Sequence, residues 1–202
     1  KGAGSPVLRF HYPTQQTDGF AYLPRNVKLE LGSLTDQQPI GQYDIRPWVA
    51  DVFPAAFDDW QCKVTVLELE RTFWEKATAV HVFCLQQRLR GDRFARHWHD
   101  IARLDDAGLA DAAFADRELA NAVARHKGMF FVERAADRSP IDYAAAVNGG
   151  LQLVPGGDAA KALEEDYGRM VEDGLLLEDA ETFEVLMARS ADVARRANEA
   201  AK

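Results

Sequence analysis

Residues 64–81 read VTVLELERTFWEKATAVH, and the spacing of the apolar residues changes inside this stretch. Over residues 60–69 apolar and polar side chains alternate, which is typical of a β-strand. From Glu70 onward, Phe73, Ala77 and Val80 follow the spacing of one face of an α-helix. The stretch therefore predicts a strand that leads directly into an amphipathic helix.

The same two periods divide the rest of the chain. Short runs with strand-like spacing precede residue 70 and longer helix-like runs follow it. The predicted strands cover residues 6–12, 26–31, 43–52 and 60–69. The predicted helices cover residues 70–90, 94–106, 116–125, 158–172 and 180–200, with Asp158 as an N-cap, and residues 132–157 are predicted to be irregular. The predicted fold class is α+β, a small, mostly antiparallel sheet at 1–69 followed by a helical domain at 70–202.

The acidic charge of the chain is concentrated in its second half. The 202 residues carry 32 acids and 24 bases, a formal net charge of -8. Residues 1–110 hold 13 bases and 14 acids, whereas residues 111–202 hold 11 bases and 18 acids. This charge argues against a non-specific DNA-binding protein, and no apolar run approaches the roughly 20 residues of a membrane span. Because two cysteines are too few for a disulfide scaffold, we expect a cytoplasmic protein with Cys62 and Cys84 used in packing.

Lys28 and Glu30 are two residues apart in a predicted strand, so both side chains lie on the same face of it. Such a pair is common on a solvated strand face. It also fits a carboxylate that binds a hard divalent ion such as Mg²⁺, with a lysine that balances a phosphate. The strand alone leaves both interpretations open.

Arg71 stands near the start of the predicted helix, where the helix dipole disfavours a positive charge. A bound anion would compensate for that charge, because the first backbone N–H groups of a helix also bind anions. Lys76 follows five residues later. The alternative is an Arg71–Glu75 ion pair along the helix, with Lys76 exposed.

Residues 88–103 form a basic segment in an acidic chain. We call it the arginine island, and it contains Arg88, Arg90, Arg93, Arg96 and Arg103. Helical spacing places Arg96, Asp100 and Arg103 on one face. This face is either a solvated, ion-paired surface or a surface that binds phosphate, in which Asp100 is a candidate base or metal ligand.

Several segments together resemble a known family, the nucleotidyltransferase-like toxins of the AbiEii/AbiGii type. The most specific are VTVLELERTFWEKATAVH at 64–81 and RHWHDIARL at 96–104. The others are KLELG at 28–32, HKGMFF at 126–131, LQLVP at 151–155 and EEDYGRM at 164–170. The resemblance extends from about residue 26 to residue 198.

The resemblance implies a polymerase-β-like nucleotidyltransferase that uses Mg²⁺ to transfer a nucleotidyl group from an NTP to an acceptor hydroxyl. Some relatives add nucleotides to the 3′ end of tRNA, and an antitoxin encoded nearby is the implied genetic partner. By position in the motifs, Glu30 matches a metal-binding carboxylate with Lys28 beside it. Lys76 matches a triphosphate-binding lysine, and Asp100 matches an active-site aspartate. Two further phosphate contacts are implied, at Arg71 and Arg96.

One part of the family pattern has no counterpart in this sequence. The family has a Gly-Ser turn and a pair of metal-binding aspartates before the Lys-x-Glu strand, whereas Gly4-Ser5 has no Asp-x-Asp after it and Asp18 is the single acid before Lys28. We therefore expect the chain alone to be inactive, with the missing segment upstream of it or on another chain. The alternative is a non-catalytic relative that binds a nucleotide, RNA or a protein.

Overall fold

The structure is a computed structural model that describes residues 6–11, 13, 26–32, 34, 36–56, 61–88, 93–176 and 180–202. Its strands are β1 (Val7–His11), β2 (Asn26–Glu30), β3 (Ile40–Ile45) and β4 (Cys62–Leu67). Its helices are α1 (Val49–Val52), α2 (Leu69–Gln86), α3 (Arg96–Asp106), α4 (Leu109–Ala115), α5 (Arg117–Phe130), α6 (Tyr143–Ala145), α7 (Gly157–Glu172) and α8 (Phe183–Ala200). The expected mixture of strands followed by helices is confirmed.

The described strands form two separate antiparallel pairs rather than the single small sheet that the sequence predicted. β1 pairs with β2 so that Val7 lies opposite Glu30, and β3 pairs with β4 so that Ile40 lies opposite Leu67. The predicted third strand was placed too late in the chain. It ends at Ile45, two residues before Pro47, because proline has no N–H to donate to a strand partner. The short helix α1 follows it.

The predicted long helices are confirmed with small shifts of their ends. α2 ends at Gln86, and the next residue adopts a left-handed conformation, whereas the predicted end at residue 90 lies outside the described residues. Asp116 caps α5 by accepting a hydrogen bond from the backbone N–H of Leu119 at 2.9 Å. α4 was missed by the sequence, and it is separated from α3 by Gly108, whose φ of 73° favours glycine.

Two predictions in the second half of the chain have different outcomes. The segment predicted to be irregular is mostly so, but it contains the three-residue helix α6 and a helical turn at Ala146–Gly150 in which Asn148 and Gly149 leave helical geometry. Asp158 is not the N-cap of α7, because the helix begins at Gly157 and no side chain caps it. Asp158 lies instead in the first turn of α7, with its Oδ1 atom 3.5 Å from Nζ of Lys161.

The hydrophobic core lies among the helices. Trp74 of α2 and Trp98 of α3 are both fully buried, and their indole N–H groups donate to Ala113 O at 2.9 Å and Leu153 O at 2.7 Å. Burial of such large side chains is a major stabilising contribution in a core, provided that the polar N–H is satisfied. Ala50 is the one buried residue among those described before Leu69. The helices therefore supply the stable framework on which the candidate site is built.

Two packing predictions have different outcomes. Cys84 is buried as expected, and burial raises the pKa of its thiol to about 12. Cys62 is exposed on β4, so its assignment to packing was wrong. The described residues do not bury this face of the β3–β4 pair in a hydrophobic core. Within the described ranges, no helix has the length and apolar composition that a membrane crossing requires.

Candidate functional site

Two of the sequence-predicted site residues are in direct contact. Lys76 Nζ of α2 lies 2.6 Å from Asp100 Oδ2 of α3, although the two residues are 24 positions apart in the chain. The side chains are 25% and 38% exposed, so both are reachable from solvent. The packing of α2 against α3 creates this ion pair at the surface of the helical core.

Asp100 also lines a groove that we call the arginine groove. Its cavity volume is about 500 Å³. Five residues of the arginine island line it, three of them arginines, together with apolar side chains from elsewhere in the chain. The lining residues are Trp48, Arg93, Arg96, His99, Asp100, Arg103, Met170, Leu175 and Leu176. The helical face predicted to carry Arg96, Asp100 and Arg103 therefore faces one cavity.

The composition of the arginine groove suits an anionic ligand with an apolar or aromatic part. Arginine guanidinium groups bind phosphate oxygens in a fixed planar geometry. Trp48 is 76% exposed and offers an aromatic surface, on which a nucleotide base stacks favourably. Sequence analysis missed Trp48, Leu175 and Leu176, because they come from distant parts of the chain and carry no local motif.

Glu30 lies on β2 in an ion pair with Lys28, which the spacing of the two residues placed on the same face of the strand. The Lys28 ammonium, through a hydrogen bond and its charge, lowers the pKa of Glu30 below its ordinary value. The positive charges of Arg96 and Arg9 lower that pKa as well. Glu30 is therefore within electrostatic reach of Arg96, one of the residues that line the arginine groove.

Arg71 lies apart from the arginine groove. Its side chain is 1% exposed, NH1 lies 3.1 Å from Asp36 Oδ2, and NH2 lies 3.2 Å from Glu75 Oε1. NH1 also donates to the backbone carbonyl of Gln38. The Arg71–Glu75 pair that the sequence offered as an alternative is thus present, and the guanidinium joins the start of α2 to the segment before β3. A buried guanidinium with these partners is a structural anchor.

His97 of α3 lies within electrostatic reach of Lys76 and Asp100, and it is not among the residues that line the arginine groove. Burial is the main cause that lowers the pKa of His97 to about 4, and the positive charges of Lys76 and Arg96 add to this effect. Its Nδ1 atom is buried without a hydrogen-bond partner in the part of the chain that the structure describes. A neutral imidazole at this place removes one positive charge from the neighbourhood of Asp100.

The described residues do not form a complete site for a divalent metal ion. Within these ranges, no three histidine, cysteine, aspartate or glutamate side chains lie close enough together to hold one. Glu30 and Asp100 are each paired with a lysine. Gly4, Ser5 and Asp18, which the sequence analysis compared with the family pattern, lie outside the described residues.

The arrangement combines three chemical capacities: guanidinium groups for phosphate, an ammonium group for further negative charge, and a carboxylate that accepts a proton. These are the groups that phosphoryl-transfer sites use for positioning and electrostatic stabilisation. No curated protein and no solved structure matches the chain. Residues 1–189 match the family described as "Nucleotidyl transferase AbiEii toxin, Type IV TA system". The match extends over most of the chain, which therefore belongs to the AbiEii nucleotidyl transferase toxin family of type IV toxin–antitoxin systems.

Proposed function

We propose that the arginine groove and the Lys76–Asp100 pair bind a nucleoside triphosphate and take part in transferring its nucleotidyl group to an RNA acceptor. The observation that carries the proposal is the 2.6 Å contact between Lys76 Nζ and Asp100 Oδ2 beside a groove lined by Arg93, Arg96 and Arg103. The contact places a proton acceptor and several cations at one point of the surface. Membership of a nucleotidyltransferase family supports the nucleotide as substrate.

In the proposed reaction, an acceptor hydroxyl oxygen attacks the α-phosphorus of the triphosphate. A new oxygen–phosphorus bond forms, and the bond to the pyrophosphate group breaks. Asp100 accepts the proton of the attacking hydroxyl, as a general base does. Lys76 and Arg96 balance the negative charge of the phosphate oxygens, which is the main contribution a protein makes to such a transfer.

Mg²⁺ belongs to this proposal as the ion that accompanies the triphosphate. Nucleotidyltransferases generally use a divalent ion, and Glu30 offers one carboxylate within electrostatic reach of Arg96. The remaining described residues do not complete a metal site. We therefore assign Glu30 and Lys28 to the phosphate side of the site.

The acceptor in this proposal is tRNA, and the protein acts in the cytoplasm with an antitoxin as its genetic partner. The positive charge of the arginine groove supports a nucleic-acid acceptor despite the net charge of -8, because the acidic excess lies mostly in residues 111–202. We further propose that residues 1–69 are part of a polymerase-β-like sheet and that residues 70–202 form a helical domain. The two described strand pairs and the helical core are compatible with that division.

A second candidate function is favoured by one observation. Both carboxylates at the site, Glu30 and Asp100, are already neutralised by lysines, and no cluster of metal-binding side chains is found among the described residues. A protein with this arrangement binds a nucleotide, RNA or protein partner without catalysis. The first candidate function requires nucleotidyl transfer by the protein, and the second requires binding without transfer.

The test uses the protein expressed from its natural gene, with labelled NTPs and total tRNA. We expect label to appear on tRNA and growth inhibition in cells, and we expect Lys76→Ala and Asp100→Ala each to remove both. Lys161→Ala is the control, because Lys161 lies on α7 with a 77% exposed side chain. NTP binding without transfer supports the non-catalytic candidate, and full activity of the Lys76 and Asp100 variants contradicts the site.

A further inference from the structure

A buried carboxylate on α7, outside the lining of the arginine groove, holds the segment that leads into α3. Asp166 of α7 is 0% exposed. Its Oδ1 atom accepts a hydrogen bond from the backbone N–H of Arg93 at 2.8 Å, and its Oδ2 atom accepts one from the backbone N–H of Ala95 at 2.8 Å. Arg169 NH2 lies 3.3 Å from Oδ1. A single side chain thus binds two backbone donors, on either side of Phe94, in the segment that enters α3.

The two other aspartate caps in the helical half differ from Asp166. Asp116 and Asp142 each accept one hydrogen bond from a backbone N–H, and both are at the surface. Such exposed caps contribute to helix stability in the ordinary way. Burying a carboxylate is unfavourable unless strong hydrogen bonds compensate, so complete burial of Asp166 is more than capping requires.

The segment that Asp166 holds has an unusual backbone. Arg93 has a φ of 64°, in the left-handed region that non-glycine residues seldom adopt. Residues held in such conformations depend on their surroundings and concentrate at functional sites. The two hydrogen bonds to Asp166 supply that support on both sides of Phe94.

The backbone conformation at 93–95 determines the positions from which two arginine side chains reach the arginine groove. Arg93 and Arg96 both line the arginine groove, and Met170, one turn after Asp166 on α7, lines it as well. α7 therefore contributes to the groove directly and, through Asp166, sets the backbone from which Arg93 projects. α3 carries Asp100 one turn further along.

We propose that Asp166 is a positioning residue for phosphate binding: its carboxylate fixes the backbone at 93–95 so that Arg93 and Arg96 converge on one polyphosphate group. This inference rests on the proposed function, because it assigns the arginine groove to a polyphosphate. It adds a residue of the EEDYGRM segment, to which the sequence analysis gave no chemical role. Asp166 itself touches no ligand.

The test measures the binding of inorganic tripolyphosphate to the 202-residue chain by calorimetry. Asp166→Asn keeps the size of the side chain and removes its charge, and we expect the affinity to fall about tenfold, because charge-assisted hydrogen bonds are stronger than neutral ones. Asp116→Ala is the matched control, since it removes a cap from α5, and its affinity should stay within about twofold of the unmodified chain. Equal affinity in Asp166→Asn and the unmodified chain overturns the inference.

A double-mutant cycle separates positioning from general destabilisation. If Asp166 acts partly through Arg93, the effect of Asp166→Asn on tripolyphosphate affinity becomes smaller when Arg93 is already alanine. Additive effects of the two substitutions overturn the inference. If the unmodified protein does not bind tripolyphosphate at all, the proposed function is overturned together with the inference. If the unmodified protein binds and Asp166→Asn binds equally well, only the inference is overturned.

One measurement needs no Asp166 variant, in case the substitution prevents folding. Hydrogen exchange of the Arg93 and Ala95 amides reports whether the segment is held before the ligand arrives. We expect both amides to be protected in the free protein and to gain little protection with tripolyphosphate. Unprotected amides that become ordered on binding contradict a preset conformation.

Discussion

Lys76 Nζ of α2 contacts Asp100 Oδ2 of α3 at 2.6 Å, so the two residues that the family motifs single out form one ion pair. The pair joins two helices whose other faces hold the fully buried Trp74 and Trp98. Its geometry is therefore fixed by the core, whereas the charged atoms remain open to solvent. A rigid framework with reachable charged groups is what a site for positioning phosphate requires.

The Lys76–Asp100 pair should matter little for stability. Partly exposed ion pairs contribute up to about 1 kcal/mol, because water competes for both charges. We expect Lys76→Ala and Asp100→Ala each to lower the free energy of unfolding by no more than about 1 kcal/mol in urea titrations. A loss several times larger would mean that the pair is a structural element, and loss of function in these variants would then say nothing about chemistry.

Arg71 should show the opposite behaviour. Glu75 keeps Lys127 as a partner at 2.5 Å and Asp36 is 38% exposed, so the loss comes from the hydrogen bonds of the buried guanidinium, including the one to the Gln38 carbonyl. Hydrogen bonds to a charged group contribute about 1.5–3 kcal/mol, and we expect a loss of at least that size for Arg71→Ala in urea titrations. Arg195→Ala, with a 55% exposed side chain, is the control and should change stability by about 0.5 kcal/mol or less. A stable Arg71→Ala variant with weakened triphosphate binding would restore Arg71 as a phosphate contact.

Stability should fall between pH 6.5 and pH 4. His81 and His97 both have a pKa lowered to about 4, mainly by burial, from an ordinary value of 6.5. In that range the unfolded chain binds protons that the folded chain does not, so the free energy of unfolding decreases as the pH falls. Each histidine contributes on the order of 3 kcal/mol across the window. Urea titrations from pH 7 to pH 4 measure the slope.

A histidine variant identifies the source of this pH dependence. His97→Gln should make the slope of stability against pH shallower between pH 6.5 and pH 4, because one titrating group is gone. His11→Gln is the control, since His11 lies exposed on β1. An unchanged slope in His97→Gln would show that His97 titrates normally in the folded protein.

The location of the core predicts which apolar side chains stabilise the protein. Leu163 of α7 is 0% exposed, whereas Leu29 of β2 is 44% exposed. We expect Leu163→Ala to lower the free energy of unfolding by about 2–5 kcal/mol, because it removes buried surface and leaves a cavity. Leu29→Ala should lower it far less. Similar losses for both would show that the β1–β2 pair is part of the core.

Sequence periodicity predicted the long helices well because each buries one face in the core. α2 and α3 show the apolar spacing clearly, and the change of period at Glu70 is one residue from the observed start of α2. α4 was missed because alanine dominates Leu109–Ala115, which gives little contrast between a buried and an exposed face. The two separate pairs formed by the described strands were not predictable, because alternation indicates strands but not which strands pair.

The candidate site was only partly predictable. Helical spacing sufficed to group Arg96, Asp100 and Arg103, since they lie within two turns of one helix. The partner of Arg71 was not predictable, because Asp36 is 35 positions away and no local pattern links the two. Asp166 was recognised only as part of a motif, because its two hydrogen bonds to the segment before α3 depend on how α7 packs.

The most direct test of the central claim measures the binding of each of the four ribonucleoside triphosphates to the 202-residue chain by calorimetry. We expect binding that weakens with added salt, because it depends on contacts between guanidinium and phosphate groups. We also expect an affinity about tenfold lower in both Arg96→Ala and Lys76→Ala, the size of one lost charge-assisted hydrogen bond, and unchanged affinity in the surface control Lys161→Ala. Absence of binding by the unmodified chain, or equal affinity in all four proteins, would contradict it.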